Sequence, residues 1–85
     1  MNSIDRAQVR KRAGLSQIRL AKLTRISQTR LSFWENYEHD LSSDEVLQIA
    51  EVLYRRLSAP AKFQGAVELA EALASGRPAD EKTSA

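Results

Sequence analysis

Within the stretch "ISQTRLSFWEN", Gln28, Thr29, Arg30, Ser32 and Phe33 crowd around Leu31 and Trp34. A glutamine amide offers a donor and an acceptor side by side, which matches the edge of adenine. An arginine fork matches guanine in the same way, and threonine or phenylalanine can meet the methyl group of thymine. A second set, His39, Asp40, Ser42 and Ser43, contains the residue types of a nucleophilic centre. Neighbours on one loop cannot easily point at one another with the geometry a triad needs, and no oxyanion site accompanies them. A lone histidine without cysteine neighbours is no metal site either. The expectation is a chain with no catalytic residues, no metal and no cofactor.

Reading base edges requires a rigid element that carries these side chains on one face. At about 100° per residue, Leu31, Trp34 and Glu35 fall on one side of a helix that follows Ser27 as N-cap and ends near Asn36. Thr29, Arg30, Ser32, Phe33 and Asn36 fall on the other side, with Gln28 at the flank of the first turn. Upstream, a helix follows Ser16 and runs to about Leu23, turning Leu20 and Ala21 inward. The short turn Thr24–Arg25–Ile26 joins the two. Such a pair makes a helix-turn-helix, whose second helix can lie in the major groove of DNA. The amino-terminal amides of the first helix, with Gln17, would face a phosphate.

The remaining elements also read as helices. The first helix is expected after Ser3 and runs to Ala13, closed by Gly14. After the polar loop "YEHDLS", Ser42 and Glu45 form a capping box that opens a helix carrying Val46, Leu47, Ile49, Ala50, Val52, Leu53, Tyr54 and Leu57. Pro60 is expected to open a fifth helix, which reaches about Ser75. The division is 1–58 for the helix-turn-helix domain, 59–75 for a packing or dimerisation helix, and 76–85 for a disordered tail. The apolar arc of the fourth helix is wider than one core needs. Either the last two helices cover each other, or Leu47, Val52, Tyr54, Phe63, Leu69 and Leu73 form a two-fold contact; the second is favoured, since one recognition helix offers little specific affinity.

The bulk properties agree. The chain of 85 residues, 42% hydrophobic, can close one core. It has no cysteine, and neither a long apolar run nor a start like a secretory signal, so a cytoplasmic protein with no membrane partner is expected. A net charge of +2 conceals an asymmetry. Residues 1–34 hold eight basic side chains and one acidic; residues 35–85 hold five basic and ten acidic. The basic half suggests a polyanionic partner.

"RKRAGLSQIRLAKLTRISQTRLSFWEN" followed by "LSSDEVLQIAEVL" resembles the phage-repressor/Cro type of helix-turn-helix, often called the XRE family. The likeness runs without a gap from Val9 to Leu53 and includes Arg10, Leu15–Ser16–Gln17, Leu20–Ala21, Ile26–Ser27 and Glu35–Asn36. It implies an all-α, five-helix lambda-repressor-like domain. In it Gln28, Thr29, Ser32 and Phe33 would meet bases, and Gln17 and Asn36 would meet phosphates. Apart from the resemblance, Arg30 is expected to join the base-contacting set as a groove or phosphate contact, and Arg19 and Ser27 the phosphate-contacting set. Arg10 and Glu35 match a pair that bridges the first and third helices. Departures are Arg25 where the family usually has glycine, Tyr37 after "EN", and an acidic loop, Glu38 to Asp40, where a basic one is usual. The expected function is a sequence-specific DNA-binding transcription regulator, a homodimeric repressor on a palindromic operator. The alternative is an antitoxin-like or accessory module that binds another protein through Phe33, Tyr37 and the acidic loop.

Overall fold

The computed structural model describes residues 4–57 and 64–76. These form five helices: α1 (Arg6–Arg12), α2 (Gln17–Thr24), α3 (Gln28–Glu35), α4 (Ser43–Arg56) and α5 (Ala66–Ala74). Each of the first four starts on a side-chain cap. The Asp5 carboxylate accepts from the Gln8 N–H, Ser16 Oγ from Arg19 N–H, and Ser27 Oγ from Arg30 N–H. At α4 the capping box is complete: Ser42 Oγ accepts from the Glu45 N–H while Glu45 accepts from the Ser42 N–H. The first cap is therefore Asp5, two residues later than the Ser3 expected from sequence, and Ser3 lies outside the described residues.

The core gathers Leu20, Leu31, Trp34, Ile49, Leu53, Leu69 and Leu73, all essentially sealed from solvent. These side chains come from α2, α3, α4 and α5, so α5 belongs to the same core as the helix-turn-helix. As described it spans Ala66–Ala74, with Gly65 at φ 117° as its N-cap. Pro60 and Phe63 lie outside the described residues, as do the tail residues 77–85. At the far end of α5, Gly76 passes so close to the carbonyl of Ile4 that a Cβ would collide with it.

This packing bears on two members of the expected two-fold contact. Leu69 and Leu73 are fully buried within one chain and offer no surface to a second copy. The reason is that α5 lies on α4 and uses both leucines to cover its apolar arc. Leu47, Val52 and Tyr54 are half-buried. At about 100° per residue Leu47 and Tyr54 share one flank of α4, whereas Val52 lies on the other side, so these three do not make one patch.

Candidate nucleic-acid interface

Two residues in the left-handed region shape the surroundings of α3. Arg25 (φ 62°) ends α2 and allows α3 to start after only Ile26 and Ser27. Tyr37 (φ 62°) reverses the chain after Asn36, so that the Glu38 and His39 amides both donate to the Phe33 carbonyl, at 2.8 and 3.3 Å. Glycine would hold either position without strain; a side chain costs about 1 kcal/mol or more. At Tyr37 the side chain offsets this. Its hydroxyl accepts from the Arg6 N–H at 3.1 Å, and its ring lies 4.2 Å from the Arg6 guanidinium carbon.

Arg6 is the residue whose role sequence reasoning missed. It counted toward the basic half, yet it is only 4% exposed. Its guanidinium donates to the carbonyls of Trp34 (2.6 Å), Leu73 (2.8 Å) and Ala74 (3.1 Å), and lies over the rings of Trp34 and Tyr37. Those carbonyls end α3 and α5, where backbone acceptors lack helical partners and the helix dipole is negative. Burial lowers the Arg6 pKa, while Tyr37, Asp40 and Asp5 favour its charge. The same burial raises the Tyr37 phenol. One signal was present in the sequence: Arg6 stands one helical turn before Arg10, so if Arg10 points inward, Arg6 shares its face.

Arg10 and Glu35 meet as a bidentate pair, Nε to Oε2 at 2.7 Å and Nη2 to Oε1 at 3.1 Å, and Arg10 Nη1 also donates to the Leu15 carbonyl. Both are buried. The chain of hydrogen bonds continues outward. Gln17 Nε2 donates to Glu35 Oε1 at 3.1 Å, and Gln28 Nε2 donates to Gln17 Oε1 at 3.3 Å. A core ion pair thus orients an amide at the exposed start of α3. Gln28 keeps its carbonyl oxygen and one N–H, the pair of groups that an adenine edge requires.

The outer face of α3 consists of Gln28, Thr29, Arg30, Phe33 and Asn36, all exposed, with Ser32 half-buried between them. Arg30 differs from the expectation of a side chain aimed at bases. It lies at the edge of this face beside buried Trp34, and both its terminal nitrogens pair with Glu45, at 2.8 and 2.9 Å. The pair raises the Arg30 pKa and holds the Glu45 carboxyl at about 2. Phe33 is 38% exposed, and its ring meets the His39 ring edge-on at 5.0 Å. Among the expected phosphate-facing groups, Gln17 is half-buried and bonded, whereas Arg19 and Asn36 are exposed. The Ser27 hydroxyl is exposed but occupied as the cap of α3.

Of the eight basic side chains in residues 1–34, Arg6 and Arg10 are buried and Arg30 is paired with Glu45. Lys11, Arg12, Arg19, Lys22 and Arg25 remain on the surface, the last three in α2 and the turn that follows it. The acidic loop sits at the opposite, carboxyl end of α3, with Glu38, His39 and Asp40 exposed.

An all-α core, a tight α2–α3 turn and a polar outer face on α3 define a helix-turn-helix DNA-binding regulator. A helix-turn-helix family model matches residues 7–57, more than half of the chain, and the protein belongs to that family in its XRE type. The family is one of DNA-binding domains, not of enzymes. No curated protein and no solved structure matches the chain. Among the described residues, no helix is long and apolar enough to cross a membrane.

Proposed function

We propose that the protein is a homodimeric repressor that lays α3 in the major groove of each half of a palindromic operator. The observation that carries this reading is the hydrogen-bond chain from buried Arg10 through Glu35 and Gln17 to exposed Gln28. It fixes a donor–acceptor pair on a rigid helix, as recognition of a base edge needs. Thr29, Ser32 and Phe33 complete the base-facing set, and Arg19, Asn36 and the basic residues around α2 face the phosphates. Arg30 serves from the rim. The second copy is met through the Leu47–Tyr54 flank of α4, and two recognition helices about 34 Å apart read successive turns of one groove.

Selection from random duplex DNA, followed by titration of the winner over a salt series, tests this. The expected result is a palindromic consensus and a log–log salt slope of about −0.9 per neutralised phosphate. A folded protein that enriches no sequence points instead to a protein-interaction module. The exposed Phe33 ring beside an acidic loop favours that second reading, and binding there would respond little to salt.

A further inference from the structure

Phe33 is the apolar exception on a face otherwise made of amides, hydroxyls and, at its edge, Arg30. It has no group that can bond a base edge. In the major groove the apolar feature of a base pair is the C5-methyl group of thymine, and an aromatic side chain meets it by contact alone. Such a contact discriminates only if the ring is held in one place, because a free rotor on a helix surface spreads its contact over several positions. The ring of Phe33 has an aromatic neighbour that can restrain it. Tyr37 turns the chain back in a left-handed conformation, and the Glu38 and His39 amides close onto the carbonyl of Phe33 itself. The backbone of Phe33 thereby places the His39 ring against its own side chain, at 5.0 Å and 88° between planes.

We infer that His39 is a positioning residue, which fixes the Phe33 ring so that it reads the C5-methyl group of a pyrimidine at one position in each half-site. This rests on the DNA-reading function proposed above and adds to it a specific chemical feature and a residue outside α3. The acidic loop then has a role at the interface: it carries the ring that orients Phe33, and a basic loop is not required there.

The test uses the full chain and the selected operator, with deoxyuridine replacing thymidine one position at a time. Loss of the critical methyl group is expected to weaken binding about four-fold, the equivalent of one buried methyl group. Phe33→Ala should bind the thymine and uracil operators alike. His39→Ala should lose most of the discrimination, and His39→Phe, which restores a ring, should regain it; thermal unfolding verifies that each variant is folded. Replacing cytosine by 5-methylcytosine shows whether the site accepts either methylated pyrimidine or thymine alone. A failed selection overturns this inference together with the function it rests on. A successful selection in which uracil equals thymine everywhere, or in which Phe33→Ala keeps the discrimination, overturns the methyl readout alone. Full discrimination in His39→Ala overturns the role of His39.

Discussion

The two sides of α3 are held by different kinds of interaction. On the inner side two arginines grip it: Arg10 takes the Glu35 carboxylate, and Arg6 takes the Trp34 carbonyl while stacking on the Trp34 ring. On the outer side the contacts are a 3.3 Å bond between two amides, an edge-on ring pair and an exposed ion pair. The inner side fixes where the helix is; the outer side leaves its polar groups able to exchange partners. A helix that must present hydrogen-bonding groups to a ligand needs both, because a loosely seated helix would spread those groups over many positions.

Substitution should expose this division most strongly at Glu35. Glu35→Ala leaves Arg10 buried without its carboxylate and should destabilise the fold by ~3–5 kcal/mol. Arg6→Ala removes one donor from each of three helix-end carbonyls, of which Trp34 and Leu73 keep the Tyr37 and Gly76 amides, and takes away the cation packed on two rings, so a loss of ~2–3 kcal/mol is expected. Thr29→Ala and Asn36→Ala on the outer side should stay within about 0.5 kcal/mol of the parent. Urea unfolding of the four variants compares the sides directly. A Thr29 or Asn36 variant as costly as the Glu35 variant would falsify the division into a seating side and a reading side.

The two left-handed residues that bound α3 should respond in opposite directions to the same replacement. Arg25 is exposed, and Arg25→Gly relieves its conformation, so a gain of roughly 0.5–1 kcal/mol is expected after the entropic cost of glycine. Tyr37→Gly relieves an equal φ but removes the hydroxyl that accepts from Arg6 and the ring stacked on it. A net loss of about 1–2 kcal/mol is expected. Thermal midpoints for the pair check this; two gains would mean that the Arg6–Tyr37 contact contributes little.

These contrasts track what was legible in the sequence. Ser16, Ser27 and the Ser42–Glu45 box announced three helix starts, because a cap acts over three residues and is written locally. The helical wheel of α3 separated Leu31, Trp34 and Glu35 from the outer set for the same reason. Contacts between distant positions were not written locally. Arg6 meets Leu73 across 67 residues and Trp34 across 28, and its place one turn before Arg10 hints at burial without naming those partners. The burial of Leu69 and Leu73 depended on how α5 docks on α4, which an apolar arc alone does not decide. The pairing of Arg30 with Glu45 was hidden because Glu45 already had a local role as a cap.

That double role makes Glu45 the place to separate charge from capping, with the smallest effect expected. Its carboxyl is held at about 2, chiefly by the hydrogen bonds from Arg30 and then by the Ser42 backbone. A folded-state value below the ordinary 4.5 means that ionised Glu45 favours the folded state above that pH. The contribution fades as pH falls from there and is gone below about 2. Glu45→Gln keeps a side chain that can complete the capping box but removes the charge. The parent should therefore melt slightly above Glu45→Gln at neutral pH, with the gap closing as the solution is acidified through that window. Added salt should narrow the gap as well, since the pair is exposed. A gap that persists at pH 2 in high salt would assign the effect to the shape of the cap, and Arg30 would then be held at the rim by geometry rather than by charge.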